Sequence, residues 1–216
     1  MKKMFLLILP LFFILTACSH VDSYLMSREM RFPKRVLVHS FDVRSGQTGG
    51  TPLSLELIKD RATKIFTEGL VQMGFEIVDP KTVYGEIKIQ DINRAFYFEP
   101  FKAEENEKKS EEMRQLLADR FAIQGIFIGS INVIYFKKPP GLFTRGEYGN
   151  PPESIEEMGG KKWDCYLRIS LTLIPSGYAL WKCFPGSIYF FDTTWEASIE
   201  RVTNEVLRHL EKDIKK

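Results

Sequence analysis

The side chains that could ligate a metal or act as nucleophiles are few and widely spaced. The chain contains three cysteines and three histidines, namely Cys18, Cys165, Cys183, His20, His39 and His209. No histidine belongs to an HExxH pair or has a second ligand at zinc-binding spacing. No GxSxG elbow occurs, and no cysteine-histidine signature surrounds Cys165 or Cys183. We therefore predict no metal site, no bound cofactor and no catalytic residue.

The first seventeen residues predict a secretory signal peptide. Lys2 and Lys3 give a positive start, and residues 4–16 form an apolar run. A transmembrane helix needs roughly 17 to 25 apolar residues, so this run is too short to span a bilayer. Removal of the two lysines with the signal leaves 28 basic and 28 acidic residues, and this balance argues against a nucleic-acid partner.

The tetrad Leu15-Thr16-Ala17-Cys18 resembles the lipobox of bacterial lipoproteins. The resemblance implies cleavage between Ala17 and Cys18, with diacylglycerol on the sulfur of Cys18 and an acyl chain on its new amine. Two or more acyl chains anchor a protein stably, whereas one chain holds it only marginally. In the lipoproteins that this tetrad resembles, a residue other than Asp after the cysteine, here Ser19, favours transfer to the outer membrane. We therefore expect an outer-membrane lipoprotein whose domain faces the periplasm.

Residues 18–33 comprise the predicted lipid site and a segment without a clean hydrophobic period that ends at Pro33. Such a segment predicts a tether between the lipid and the domain. An ordered N-terminal arm is the alternative. Residues 34–216 then form a single domain.

Hydrophobic periodicity predicts a strand, a helix and a second strand at the start of this domain. Residues 35–43 form an apolar run typical of a strand that is buried on both faces. Residues 57–73 repeat apolar positions at helical spacing, and Gly74 follows where a helix would end. Residues 75–78 predict a short strand, which we expect to be parallel to the first and joined by a right-handed crossover.

The remaining patterns predict an α/β fold. Residues 102–122 and the helical stripe that follows Thr193 or Thr194 predict two further helices, and residues 123–136 predict a central strand. Residues 81–101 fit neither a strand nor a helix clearly. We predict a two-layer or three-layer mixed β-sheet flanked by helices, with an antiparallel C-terminal hairpin and a C-terminal helix.

The C-terminal hairpin follows from strict apolar and polar alternation over residues 165–174 and from the turn Pro175-Ser176-Gly177, in which Gly177 requires a positive φ. The predicted register pairs Leu173 with Ala179, Leu171 with Trp181 and Ile169 with Cys183. Cys165 then lies about 13 Å from Cys183 along the sheet. A disulfide requires Cα atoms within roughly 7 Å, so we predict two separate buried thiols.

Two segments are candidates for an interaction surface. The first is the glycine-rich loop 45–50, with Gly46, Gly49 and Gly50. The second is a proline- and glycine-rich excursion at 137–162, in which Phe143, Arg145 and Tyr148 are residue types enriched at protein interfaces. The alternative for the excursion is a loop without a partner.

Four short sequence segments follow one another along the chain, at residues 36–42, 73–78, 121–131 and 167–181. Together they resemble the curli-export lipoprotein (CsgG-like) superfamily, which includes exopolysaccharide-export lipoproteins and activators of penicillin-binding proteins. The resemblance implies a non-catalytic envelope protein that forms a homo-oligomeric ring. The curli-export protein builds its barrel from two long amphipathic hairpins. The corresponding segments here, 81–101 and 137–162, are short or crowded with proline and glycine, so we expect no self-made pore.

We therefore predict a lipid-anchored, non-enzymatic component that binds, assembles or assists an envelope export or secretion machine. Its expected partners are the membrane, an unidentified envelope protein and further copies of itself. One alternative is an outer-membrane activator of a peptidoglycan synthase, although a fifteen-residue tether reaches only about 50 Å. A remote alternative is an envelope hydrolase, which requires two carboxylates that converge in one pocket with perturbed pKa values.

Overall fold

Seven strands and five helices make up the described part of the chain. The computed structural model describes residues 21–27, 30–48, 55–96, 103–136, 163–185 and 194–216. The strands are β1 Val21–Leu25, β2 Arg35–Val38, β3 Asp42–Thr48, β4 Glu76–Ile77, β5 Gly125–Phe136, β6 Trp163–Leu173 and β7 Ala179–Pro185. The helices are α1 Leu55–Gln72, α2 Pro80–Glu86, α3 Ile89–Phe96, α4 Ala103–Phe121 and α5 Trp195–Ile214.

The seven strands form one mixed sheet in the order β1-β7-β6-β5-β2-β4, and β3 pairs with β5 beyond the end of β2. Strand β2 is parallel to β4 and β5, whereas β5, β6, β7 and β1 are successively antiparallel. The parallel unit formed by β2, α1 and β4 and the antiparallel C-terminal hairpin are both as predicted. The α/β fold class is thereby confirmed.

Helices lie on both faces of the sheet and make a three-layer arrangement. On one face α1 and α5 cover the main core, in which Phe66 packs edge-on against Phe41 and Phe127, with ring centroids 5.8 and 5.2 Å away. On the other face α2, α3 and α4 cover a second core that includes Leu37 and Ile126. Full burial of one such side chain contributes about 1.5–3 kcal/mol, so the two cores dominate the stability of the fold.

The predicted strand at 35–43 is interrupted. Val38 pairs with Phe127 and Asp42 with Ser130. Between these pairs, the chain from β2 to β3 contains three residues, whereas β5 contains two. An extra residue of this kind bends a strand and re-aims its side chains. The region 81–101, which the sequence left undecided, contains α2 and α3. Asp79 caps α2 by accepting a hydrogen bond from the Lys81 amide.

The predicted tether at 18–33 contains an ordered strand. Strand β1 pairs with β7 from Val21 opposite Pro185 to Leu25 opposite Trp181, so the alternative of an ordered arm holds for these residues. The strand escaped prediction because its inward residue Ser23 is polar, whereas its outward neighbour Tyr24 is aromatic and 51% exposed. Ser23 and Tyr24 thus reverse the alternation that usually identifies a strand with one buried face, although Leu25 follows it.

The hairpin register is confirmed at two of the three predicted pairs. Ile169 lies opposite Cys183 and Leu171 opposite Trp181, but a bulge after Leu171 places Thr172 rather than Leu173 opposite Ala179. Gly177 has the expected positive φ of 71°. Cys165 and Cys183 are both buried and form no disulfide with each other, as the register requires.

We expect Gly129→Ala to destabilise the protein. A Cβ at this position of β5 would lie 2.5 Å from the backbone carbonyl oxygen of Arg168 and 3.1 Å from the Phe41 ring. Overpacking of this kind lowers the free energy of unfolding by about 1–3 kcal/mol. Urea unfolding measures the loss, and Gly85→Ala in α2 is the control because its Cβ meets open space. Equal unfolding midpoints for the two variants would contradict this account of β5.

Candidate functional site

Five strand ends meet at one end of the sheet. The pairings of Val21 with Pro185, Tyr135 with Trp163 and Thr48 with Phe136 bring them together. We call this end of the sheet, where these five strands begin or stop, the Val21 end. The chain enters the sheet there from the side of Cys18, and it leaves the described residues there after Thr48, Phe136 and Pro185. The segments that carry most of the predicted site residues therefore all join the sheet from the same end.

The predicted site residues fall into two groups. Ala17, Cys18, Gly49, Gly50, Phe143, Arg145 and Tyr148 lie outside the described residues. Gly46 lies inside β3, opposite Ile134, so the predicted loop 45–50 begins later than expected. Parallel pairing with the second half of β5 holds residues 45–48 in the sheet, although their composition is typical of a loop.

Asp213 of α5 fixes β1 to the rest of the domain. Ser23 Oγ donates a hydrogen bond to Asp213 Oδ2 at 2.7 Å, and Trp181 Nε1 donates to the same oxygen at 3.0 Å. Lys216 Nζ lies 2.6 Å from Asp213 Oδ1. Burial opposes the charge of this carboxylate, but the hydrogen bonds from Lys216, Ser23 and Trp181 together hold its pKa below the usual value. Asp213 is therefore a charged, buried link between β1, β7 and α5.

His209 lies beside this link and completes a serine, histidine and acid group. Its Nδ1 is 3.4 Å from Ser23 Oγ, and its Nε2 is 3.3 Å from Glu205 Oε1. In a catalytic triad the histidine receives the serine proton and the acid orients the histidine. Here the Ser23 hydroxyl points its proton at Asp213 instead, so the arrangement binds β1 to α5 rather than activating Ser23. Sequence reasoning missed this group because Ser23 and Asp213 are 190 residues apart.

A second polar group surrounds the break between β2 and β3. His39 is buried, its Nε2 lies 2.5 Å from Asn93 Oδ1, and its Nδ1 lies 2.8 Å from the Tyr84 hydroxyl. Burial lowers the pKa of His39, against the opposing effect of the Asn93 hydrogen bond. Because both ring nitrogens have partners, His39 is a satisfied structural histidine.

The groove beside His39 has a volume of about 450 Å³ and carries two acids. Each faces a cation, because Asp42 pairs with Arg44 at 3.0 Å and Glu56 pairs with Lys59. A larger groove of about 850 Å³ between α1 and α5 is also charged, and Arg61 pairs across it with Glu200 at 3.3 Å. These are the contacts of solvated surface pairs.

Two general properties hold for the described ranges of the chain. No group of three or more His, Cys, Asp or Glu residues within them is arranged to hold a metal ion. None of the helices within them is long and apolar enough to cross a bilayer.

Comparisons with known proteins find likenesses among solved structures. No model of a known protein family matches the sequence, and no curated protein matches it significantly. A variant PelC dodecamer from Paraburkholderia phytofirmans is 11% identical, with a TM-score of 0.44 over 90% of this chain and 99% of that one. A second PelC dodecamer from the same organism is 11% identical, with a TM-score of 0.42 over 90% and 98%. The C-terminal domain of LpoB from Salmonella enterica is 15% identical, with a TM-score of 0.36 over 77% and 90%.

We expect Asp213→Asn to destabilise the protein at neutral pH and to have little effect in acid. The folded-state pKa of Asp213 is lowered, so its charge stabilises the fold above the unfolded-state pKa of about 3.9. That contribution is lost as the pH falls below this value and through the folded-state pKa. Urea unfolding at pH 7 should show a loss of about 1–3 kcal/mol.

Asp60→Asn on the exposed face of α1 is the matched control for this measurement. The account of Asp213 fails if the two variants unfold alike at pH 7, or if the loss in Asp213→Asn persists unchanged at pH 3. Amide hydrogen exchange in β1 gives a second readout, because its protection should fall with the stability of the link.

Proposed function

We propose that this protein is a non-catalytic lipoprotein, anchored in the outer membrane through Cys18, that serves an envelope export or secretion machine as a binding, assembly or accessory component. The observation that carries the proposal is the position of β1. Its first residue, Val21, follows Cys18 by only three positions. At roughly 3.5 Å per residue, the Cα atom of Cys18 lies within about 11 Å of the sheet. An acylated Cys18 therefore holds the domain directly against a membrane.

That β1 is docked on the sheet also favours one of the two envelope functions, an export component, over the other, a synthase activator. An activator of a peptidoglycan synthase must extend away from the outer membrane to its partner in the wall. A free tether from Cys18 to Pro33 would reach about 50 Å, whereas docked β1 limits the link to about 11 Å. This short link favours a partner that lies at the membrane surface, as a component of an export machine does.

The expected protein partner fits the same end of the molecule. The segments that carry Gly49 and Gly50, and those that carry Phe143, Arg145 and Tyr148, join the sheet at the Val21 end. A lipid on Cys18 would place this end next to the membrane, where a neighbouring copy or another envelope protein would meet it. Self-association into a ring belongs to the same proposal.

We expect Cys18→Ala to abolish lipid labelling. Cells that express the protein and receive an alkyne-tagged palmitate should label the native chain, because the labelled acyl groups attach only at Cys18. Cys165→Ala is the matched control, since Cys165 is buried in β6 and should leave labelling intact. Labelling of the Cys18→Ala protein at the native level would overturn the anchoring step of the proposal.

We expect the acyl-free chain, residues 19–216, to form a defined oligomer that depends on the excursion. Light scattering over a concentration series measures its mass, beside a variant in which residues 139–160 are replaced by a short Gly-Ser linker. Loss of the oligomer in that variant would locate the self-association surface in the excursion. A monomer in both proteins would contradict a ring and favour a one-to-one adaptor.

A further inference from the structure

Within the described residues, half of the exposed large apolar side chains lie on or near β1. Ten large apolar residues are exposed in the described part of the chain, and half of them lie on β1, within five residues after it, directly before β7 or near the end of β7. These five are Tyr24, Met26, Met30, Tyr178 and Phe184. The remaining five are spread over α1, α3 and α4. Clustered exposure of this kind marks an interaction surface more often than scattered exposure does.

Four of these residues form a continuous strip. Ser23 and Leu25 face α5 and the core, so Tyr24 points to the opposite face of the sheet. The Tyr24 ring lies 6.4 Å from the Phe184 ring. Beyond the end of β1, the Met26 amide donates a hydrogen bond to the Leu180 carbonyl oxygen. The Tyr178 hydroxyl lies 3.4 Å from the Met26 carbonyl oxygen. We call Tyr24, Met26, Tyr178 and Phe184 the β1 strip.

The strip begins beside the predicted lipid site. Phe184 lies opposite Asp22, one position from the Val21 end, and so within a few residues of Cys18. Tyrosine has an apolar ring and a polar hydroxyl and therefore suits the headgroup region of a bilayer, and phenylalanine adds apolar area beside it. Two cations share this face of the sheet, because Lys182 lies opposite Tyr24 and Arg168 is exposed on β6. Cations next to apolar groups favour a surface of anionic lipid headgroups.

We infer that the β1 strip lies on the bilayer surface that holds the acylated Cys18, so that the outer face of β1 and β7 lies against the membrane. This inference rests on the proposed function, because the lipid on Cys18 brings the bilayer to β1. A lipid anchor alone leaves the domain free to rotate about its link. The strip supplies a second contact about five residues long, which fixes one orientation and directs α1 and α5, on the other face of the sheet, away from the membrane.

Fluorescence quenching by doxyl-labelled lipids tests the orientation. The acylated protein is purified from membranes and reconstituted into vesicles of phosphatidylethanolamine and phosphatidylglycerol. Tyr24→Trp and Phe184→Trp place reporters on the strip. Val71→Trp is the control, because Val71 is 56% exposed on the last turn of α1, which leads into β4 at the other edge of the sheet. The three native tryptophans contribute the same background to each variant.

We expect quenching of both strip reporters to exceed that of the Val71→Trp reporter by about two-fold or more. Equal quenching of all three reporters would overturn the inference. So would a strip reporter whose emission depends on protein concentration but not on doxyl lipid, since that result would assign the strip to a second copy of the chain.

Flotation separates this inference from the proposed function. A chain that does not float with the vesicles lacks the lipid anchor, and this outcome overturns the proposed function. The same three variants, begun at residue 19 and attached through an N-terminal hexahistidine tag to nickel-chelating lipid, then bring β1 to the bilayer by another route. The quenching comparison decides the inference in that setting by the same criteria.

Discussion

The buried carboxylate of Asp213 joins the N-terminal strand, the C-terminal hairpin and the C-terminal helix. One of its oxygens accepts hydrogen bonds from Ser23 and Trp181, and the other faces Lys216. Removing a partner from a buried charge is strongly unfavourable, because the charge that remains is neither solvated nor paired. These contacts therefore hold the three elements in one arrangement. The distance between Cys18 and the folded domain depends on that arrangement, and so does the face of β1 that meets solvent.

Unequal covering of the sheet gives the molecule its second important property. Helices α1 and α5 bury one face, and the ring contacts of Phe66 with Phe41 and Phe127 belong to that side. Helices α2, α3 and α4 bury the other face at β2 and at the first part of β5, around Leu37 and Ile126. An antiparallel sheet is stable with one face covered. Within the described residues, Tyr24 of β1 and Phe184 of β7 stay exposed on this outer face.

Much of the fold could be predicted from the sequence, because many elements depend on residues that are close along the chain. Helix α1 ends before Gly74, whose positive φ of 89° matches the expected helix stop. Helix α5 begins at its Thr194 cap and buries the predicted stripe at Ile199 and Val206. The turn at Gly177 and most of the hairpin register likewise follow from local spacing. Less of the candidate site could be predicted, since only Gly46 among its predicted interface residues falls in the described part, where it is a strand residue.

By itself the sequence determined the periodic helices, the central strand, the hairpin and the separation of Cys165 from Cys183, because three- to four-residue and two-residue periods are local properties. Only the tertiary structure decided that β1 is a strand, that the first strand breaks at residues 39–41 and that the aromatic residue Tyr24 faces outward. Each of these depends on a partner far away in the chain. Ser23 is inward because its hydroxyl donates a hydrogen bond to Asp213, and no local pattern records a hydrogen bond between residues 190 positions apart.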